Sequence, residues 1–70
     1  MSTQLSAKGQ KTRSEILEAA FALFLERGIH ATSVDDILEV AHKGKSQFYH
    51  YFKNKEDLIH RLLQTHLVEL

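Results

Sequence analysis

The sequence contains no cysteine and no proline. Without cysteine there is neither a disulfide framework nor a thiolate metal site, and without proline nothing rigidly interrupts a helix. No stretch approaches the roughly 18 consecutive apolar residues of a membrane-spanning helix. The polar opening, residues 1–11, also lacks the apolar run of a secretory signal. A cytoplasmic chain with no membrane partner is expected. Net charge is missing as well, since nine Lys and Arg balance nine Asp and Glu. Taken alone, that argues against a nucleic-acid partner, because phosphate binding rests on Lys and Arg.

The distribution of charge overturns that impression. Residues 1–14 hold Lys8, Lys11 and Arg13 with no acid, and residues 42–55 hold Lys43, Lys45, Lys53 and Lys55 with no acid. The acids lie outside both stretches, so the chain is polarised rather than neutral. An apolar fraction of 43% and a charged fraction of 26% are ordinary for a globular domain. With 70 residues there is room for one small core. A chain of this size buries only about 60% of its unfolded surface, so packing has little margin.

The hydrophobic spacing is helical throughout, with no repeat and no strand-like alternation. Residues 1–10 read as a flexible arm. A first helix is expected from Lys11 or Thr12 to Arg27, with Ile16, Ala20, Leu23 and Phe24 on its core face, Leu17 and Phe21 widening the stripe, and Gly28 as stop. Ser33 reads as the N-cap of a second helix, with Asp35 and Asp36 at the positive end of its dipole and Val34, Ile37, Leu38 and Ala41 facing inward. About two turns fit before His42, Lys43 and Gly44 break the pattern. A third helix, roughly Lys45 to Tyr51, is anchored by Phe48 and Phe52 at i, i+4. Asn54 then caps a fourth, which carries Leu58, Ile59, Leu62, Leu63, Leu67 and Leu70 and meets no stop signal. Its apolar face needs a partner, and a continuing chain is expected. The fold class is all-α: a three-helix helix-turn-helix bundle plus the start of a fourth helix.

Two short helices joined by a tight Gly-containing turn, with a longer helix before them, form the helix-turn-helix plan. In that plan the second of the pair enters the major groove. Its exposed side chains here are Lys45, Ser46, Gln47, Tyr49 and His50. Gln can bond an adenine edge in bidentate fashion and Lys can donate to guanine, each pairing adding about 1–3 kcal/mol of discrimination. Gln47 is therefore the leading candidate for base reading. The hydroxyls of Tyr49 and Tyr51 suit phosphate oxygens, and Lys55 adds charge where helix N–H groups point at an anion. Thr32 and Ser33 offer the same at the second helix, and Lys43 is a further candidate facing DNA. For Tyr49 a second reading stands, a core aromatic with its hydroxyl at the surface.

The segments TSVDDI (residues 32–37), FYHYFKNK (48–55) and ILEAAFALFLERG (16–28) together resemble the TetR (tetracycline repressor) family over residues 12–63. The resemblance implies a homodimeric repressor. Its N-terminal heads would bind a palindromic operator in double-stranded DNA. A C-terminal domain, absent from this chain, would dimerise and bind a small-molecule effector that releases DNA. In these terms residues 11–70 are the DNA-binding domain, with the helix-turn-helix at about 33–52 and a connecting helix at about 55–70. The family's DNA contacts correspond here to Thr32, Ser33, Lys45 to Gln47, Tyr49 to Tyr51 and Lys55. The turn departs from the pattern, for His42 and Lys43 stand where family members often carry Gly and an apolar residue. A left-handed His42 would cost roughly 1–2 kcal/mol against Gly.

Other classes fit less well. The five histidines show no i, i+4 pairing and have no Cys to join them, so no metal or cofactor is expected. Ser46 and His50 are one turn apart but lack an orienting acid and an oxyanion site, so no enzyme is expected. The rival is a helical protein-interaction module presenting Phe48, Tyr49 and Tyr51.

Overall fold

A computed structural model describes the backbone of residues 7–68 and the side chains of residues 9–65. The described residues form four helices, α1 (Ala7–Arg27), α2 (Val34–Ala41), α3 (Lys45–Tyr51) and α4 (Lys55–Val68), and no strand. The all-α expectation holds. Helix α1 is the hub, packed against each of the other three, while α2 also packs on α3.

One core results. Ile16, Ala20 and Leu23 of α1, Ile37 and Leu38 of α2, Phe48 and Phe52 around α3, and Leu58 and Leu62 of α4 are all buried. Leu17, Phe24, Val34, Ala41 and Tyr51 pack against this cluster from its edge. The i, i+3, i+4 spacing therefore found the right faces, but it overstated their width: Phe21 stays 39% exposed and Leu63 52%.

The first helix starts earlier than expected. Ala7 to Gln10 are helical and not part of an arm, whereas residues 1–6 lie outside the described residues, as do the side chains of Leu67 and Leu70. Ala, Lys and Gln are good helix formers, and once the core has nucleated α1, backward extension tolerates the single Gly9. At the other end Gly28 adopts φ 91°, and its N–H donates to the Phe24 carbonyl at 2.9 Å. That conformation suits glycine, so Gly28 closes α1 as expected.

Local chemistry explains the two short helices. Ser33 Oγ accepts from the Asp36 N–H at 3.1 Å, while the Ser33 N–H donates to Asp36 Oδ2 at 3.0 Å, a reciprocal capping box. The backbone N–H of Ser33, followed by its hydroxyl, holds the Asp36 carboxyl below its ordinary value. Asn54 Oδ1 accepts from the Asp57 N–H at 2.8 Å and so starts α4. Gly44 has no side chain to cap with, so α3 has half a box: the Gly44 N–H donates to Gln47 Oε1 at 3.1 Å.

Between α2 and α3 the chain turns through His42, at φ 59° and ψ 44°. The His42 N–H donates to the Glu39 carbonyl at 3.3 Å and the Lys43 N–H to the Leu38 carbonyl at 3.1 Å. This is the crossed bonding pattern of a helix ended by a left-handed residue, a place usually held by Gly. Replacing His42 with Gly relieves about 1–2 kcal/mol of strain and loses about 0.4–1 kcal/mol through the freer unfolded chain. We expect a net gain near 0.5–1 kcal/mol, read as a rise of a few degrees in melting temperature. A drop would show that His42 makes a compensating contact.

Candidate nucleic-acid interface

Helix α3 has an inner and an outer side. Phe48 is fully buried, and its ring meets Phe52 at 5.4 Å and Tyr49 edge-on at 4.9 Å between centroids. Phe52 ends the helix in an extended conformation that turns its own ring inward. Lys45, Ser46, Gln47, Tyr49 and His50 are all exposed. Tyr49 is about half exposed while its ring also contacts Phe48, so it combines a core contact with a surface side chain. Tyr51 is half-buried, pairs with His50 at 4.7 Å and packs on the core cluster. Ser33 is exposed at the start of α2.

Three of the expected contacts have partners within the molecule. Thr32 is 1% exposed, and its hydroxyl donates to the Gly28 carbonyl at 2.8 Å, closing the loop after α1 rather than facing outward. Lys43 reaches back to α1, its Nζ 2.8 Å from Glu15 Oε1. Lys55 donates from Nζ to the carbonyls of Thr32 at 2.8 Å and Ile29 at 3.0 Å, so it clamps the α1–α2 loop from the start of α4. Two of the four lysines in the basic stretch are thus engaged inside the molecule.

The other two remain outward. Lys45 makes a loose pair with Asp35 at 3.8 Å, with both side chains at least 70% exposed, and such a pair is worth little. Lys53, which the spacing alone did not single out, is exposed just past α3, and its backbone N–H donates to Asp57 Oδ2 at 2.9 Å. Its signal in the sequence was membership of the acid-free stretch. Gln47 is exposed, but its Oε1 already serves the α3 cap, which leaves its Nε2 donors for an outside partner. The Ser46 hydroxyl has no hydrogen-bond partner among the described residues. The face can therefore donate hydrogen bonds and positive charge along one short helix, next to the exposed Ser33.

Residues 16–62 match the profile of bacterial regulatory proteins of the tetR family. The chain belongs to the TetR family. It corresponds to the N-terminal DNA-binding domain of these regulators. Its relatives include the HTH-type transcriptional repressor KstR2 of Mycobacterium tuberculosis, 44% identical over 55 residues. The HTH-type transcriptional regulator TtgR of Pseudomonas putida is 38% identical over 58 residues, and the probable acrEF/envCD operon repressor of Escherichia coli is 32% identical over 62. These matches cover 79%, 83% and 89% of this chain but 28% of each relative's length. No solved structure matches at a significant level. The family expected from the three motifs is the family found.

Proposed function

We propose that the chain binds operator DNA sequence-specifically by laying α3 in the major groove. Two such heads would act together in a homodimer held by a C-terminal domain of the regulator. In this reading the regulator is a cytoplasmic repressor, and a small molecule bound in that domain releases DNA. The observation that carries the reading is the division of α3: Phe48 is fully buried, while five of its six neighbours expected to meet DNA are exposed and the sixth, Tyr51, is half-buried. A helix anchored on one side presents its polar side to a groove wide enough for one helix. The names of the relatives, all transcriptional regulators or repressors, support it. Two heads spaced by one helical turn of DNA, about 34–36 Å, would read a palindrome.

Roles within the face follow from what each side chain already does. Lys45 and Lys53 meet phosphates or guanine, while the Ser33 hydroxyl, already engaged with the Asp36 N–H and carboxylate, would meet a phosphate only by giving up the carboxylate. The Tyr49 and Tyr51 hydroxyls and the His50 ring reach the backbone. Gln47 reads a base through Nε2 while Oε1 stays on Gly44, which directs it to an acceptor such as guanine N7 or thymine O4. Bidentate reading of adenine would instead release the cap.

The experiment compares Lys45→Ala and Gln47→Ala on duplexes enriched from a random library and on random DNA. Lys45→Ala should weaken binding to both and flatten the dependence of log affinity on log salt by about 0.9 if it holds one phosphate. Gln47→Ala should narrow the gap between selected and random DNA, by roughly 1–3 kcal/mol for a full base contact and less for a single bond. Equal losses on both kinds of DNA from both variants would overturn this division of labour. A salt-insensitive chain with no DNA retention would favour the protein-interaction module, for which the exposed Tyr49 is the anchor.

A further inference from the structure

We propose that Glu15 and Lys43 form a positioning pair that sets the recognition helix α3 against α1 and thereby governs DNA affinity; this rests on the DNA-binding reading above. The turn leaves α2 through a left-handed His42, and Lys43 is the next residue. In this type of helix ending, the side chain after the left-handed residue commonly packs back on the last turn with an apolar contact. Lys43 cannot do so with its ammonium. Its side chain is nonetheless only 20% exposed, with Nζ 2.8 Å from Glu15 Oε1. The long stem covers apolar surface, and a carboxylate on the neighbouring helix takes the charge.

The location of the pair gives it leverage. Glu15 precedes the fully buried Ile16 on α1, the hub helix. Lys43 lies two residues before α3 begins at Lys45. Helix α3 is seven residues long, and Phe48 is its one buried residue. Phe48, Tyr51 and the following Phe52 hold its second half, whereas its first turn has no buried residue, so the fixed point just before that turn decides where Lys45, Ser46 and Gln47 are aimed. Of the three ion pairs among the described residues, Glu15–Lys43 is the shortest and the most covered, and it is the one that joins the turn to α1. The Lys43 hydrogen bond also holds the Glu15 carboxyl below its ordinary value, with Lys11 on α1 adding a smaller pull.

A phosphate-binding lysine and a positioning lysine behave differently. If Lys43 met DNA, its loss would flatten the salt dependence by about 0.9, whereas loss of a positioning residue leaves the slope unchanged. Glu15 discriminates more sharply. Removing an acid from a DNA-binding surface ordinarily strengthens binding through the long-range field. If Glu15 positions α3, its removal weakens binding instead.

The test measures affinity against salt for the unmodified chain, Glu15→Gln, Lys43→Ala and the exchanged double variant Glu15→Lys/Lys43→Glu. The probe is a duplex enriched from a random library by the unmodified chain, and circular dichroism follows helix content. Each single variant should bind roughly three- to tenfold more weakly at an unchanged salt slope, within the range of coupling between contacting groups. The exchanged pair should return most of that affinity. If Lys43→Ala loses helix content, recovery of both helix content and binding in the exchanged pair carries the same support. A flattened slope for Lys43→Ala, with Glu15→Gln binding as well as or better than the unmodified chain, would overturn the proposal and make Lys43 a phosphate ligand. All variants are carried in the dimeric regulator proposed above, and failure of its unmodified form to enrich any duplex would overturn the DNA-binding reading itself and the proposal with it.

Discussion

Phe48→Ala should unfold much of the domain. The ring is fully buried and is the contact through which α3 joins the core, flanked by Phe52 and Tyr49. Truncating a buried Phe to Ala costs about 3–5 kcal/mol through lost transfer energy and the cavity left behind. A domain of this length has only about 3.5–10 kcal/mol of net stability, at the usual 0.05–0.15 kcal/mol per residue. The loss is thus a large fraction of the whole. A seven-residue helix has no stability of its own, so α3 would melt first and take the exposed face with it. Urea unfolding followed by circular dichroism should show the midpoint collapse, and DNA binding should disappear in parallel. Phe48→Leu, which keeps most of the volume, should retain most of both. Near-native stability in Phe48→Ala would mean that α3 is held by contacts other than its buried ring.

The second large effect belongs to Lys55. Its ammonium donates to two backbone carbonyls of the α1–α2 loop, Ile29 and Thr32. Lys55→Met keeps the stem and removes both bonds, leaving two acceptors of a partly covered loop to find water. The expected cost is about 1–3 kcal/mol, nearer the lower end because the Ile29 carbonyl is exposed. The loop leads directly into the Ser33 cap, so loosening it also blurs the start of α2. Weaker binding to every DNA sequence is expected, in agreement with a family resemblance that makes Lys55 a DNA contact, but the cause differs. A lower urea midpoint with an unchanged salt slope marks the clamp. An unchanged midpoint with a slope flattened by about 0.9 would mark a phosphate contact instead.

Sequence alone locates α2, α3 and the start of α4 because their boundaries are set by short-range chemistry. Ser33, Gly44 and Asn54 act on N–H groups within three residues of themselves, and Phe48 and Phe52 are apolar residues one helical turn apart. The start of α1, four residues before Lys11, is not legible in the same way, because the apolar stripe that marks the helix begins only at Ile16. The interface was legible as a helix but not residue by residue. Lys43, Lys45, Lys53 and Lys55 look alike in sequence, and their fates differ because Glu15, Ile29 and Thr32 are distant along the chain but near in space. Likewise Thr32 and Ser33 are adjacent hydroxyl residues, yet one is buried on Gly28 and the other caps α2 at the surface. The part of Gln47 in the α3 cap is not legible in the sequence, since Gly44 offers no side chain to announce a box.

The measurement that bears most directly on α3 as a DNA-reading helix is selection of duplexes from a random library by this chain within the proposed dimeric regulator, at two salt concentrations. Enrichment of one sequence, with affinity falling linearly in log units as salt rises, is the expected result. A folded chain that retains no duplex even at low salt would contradict it.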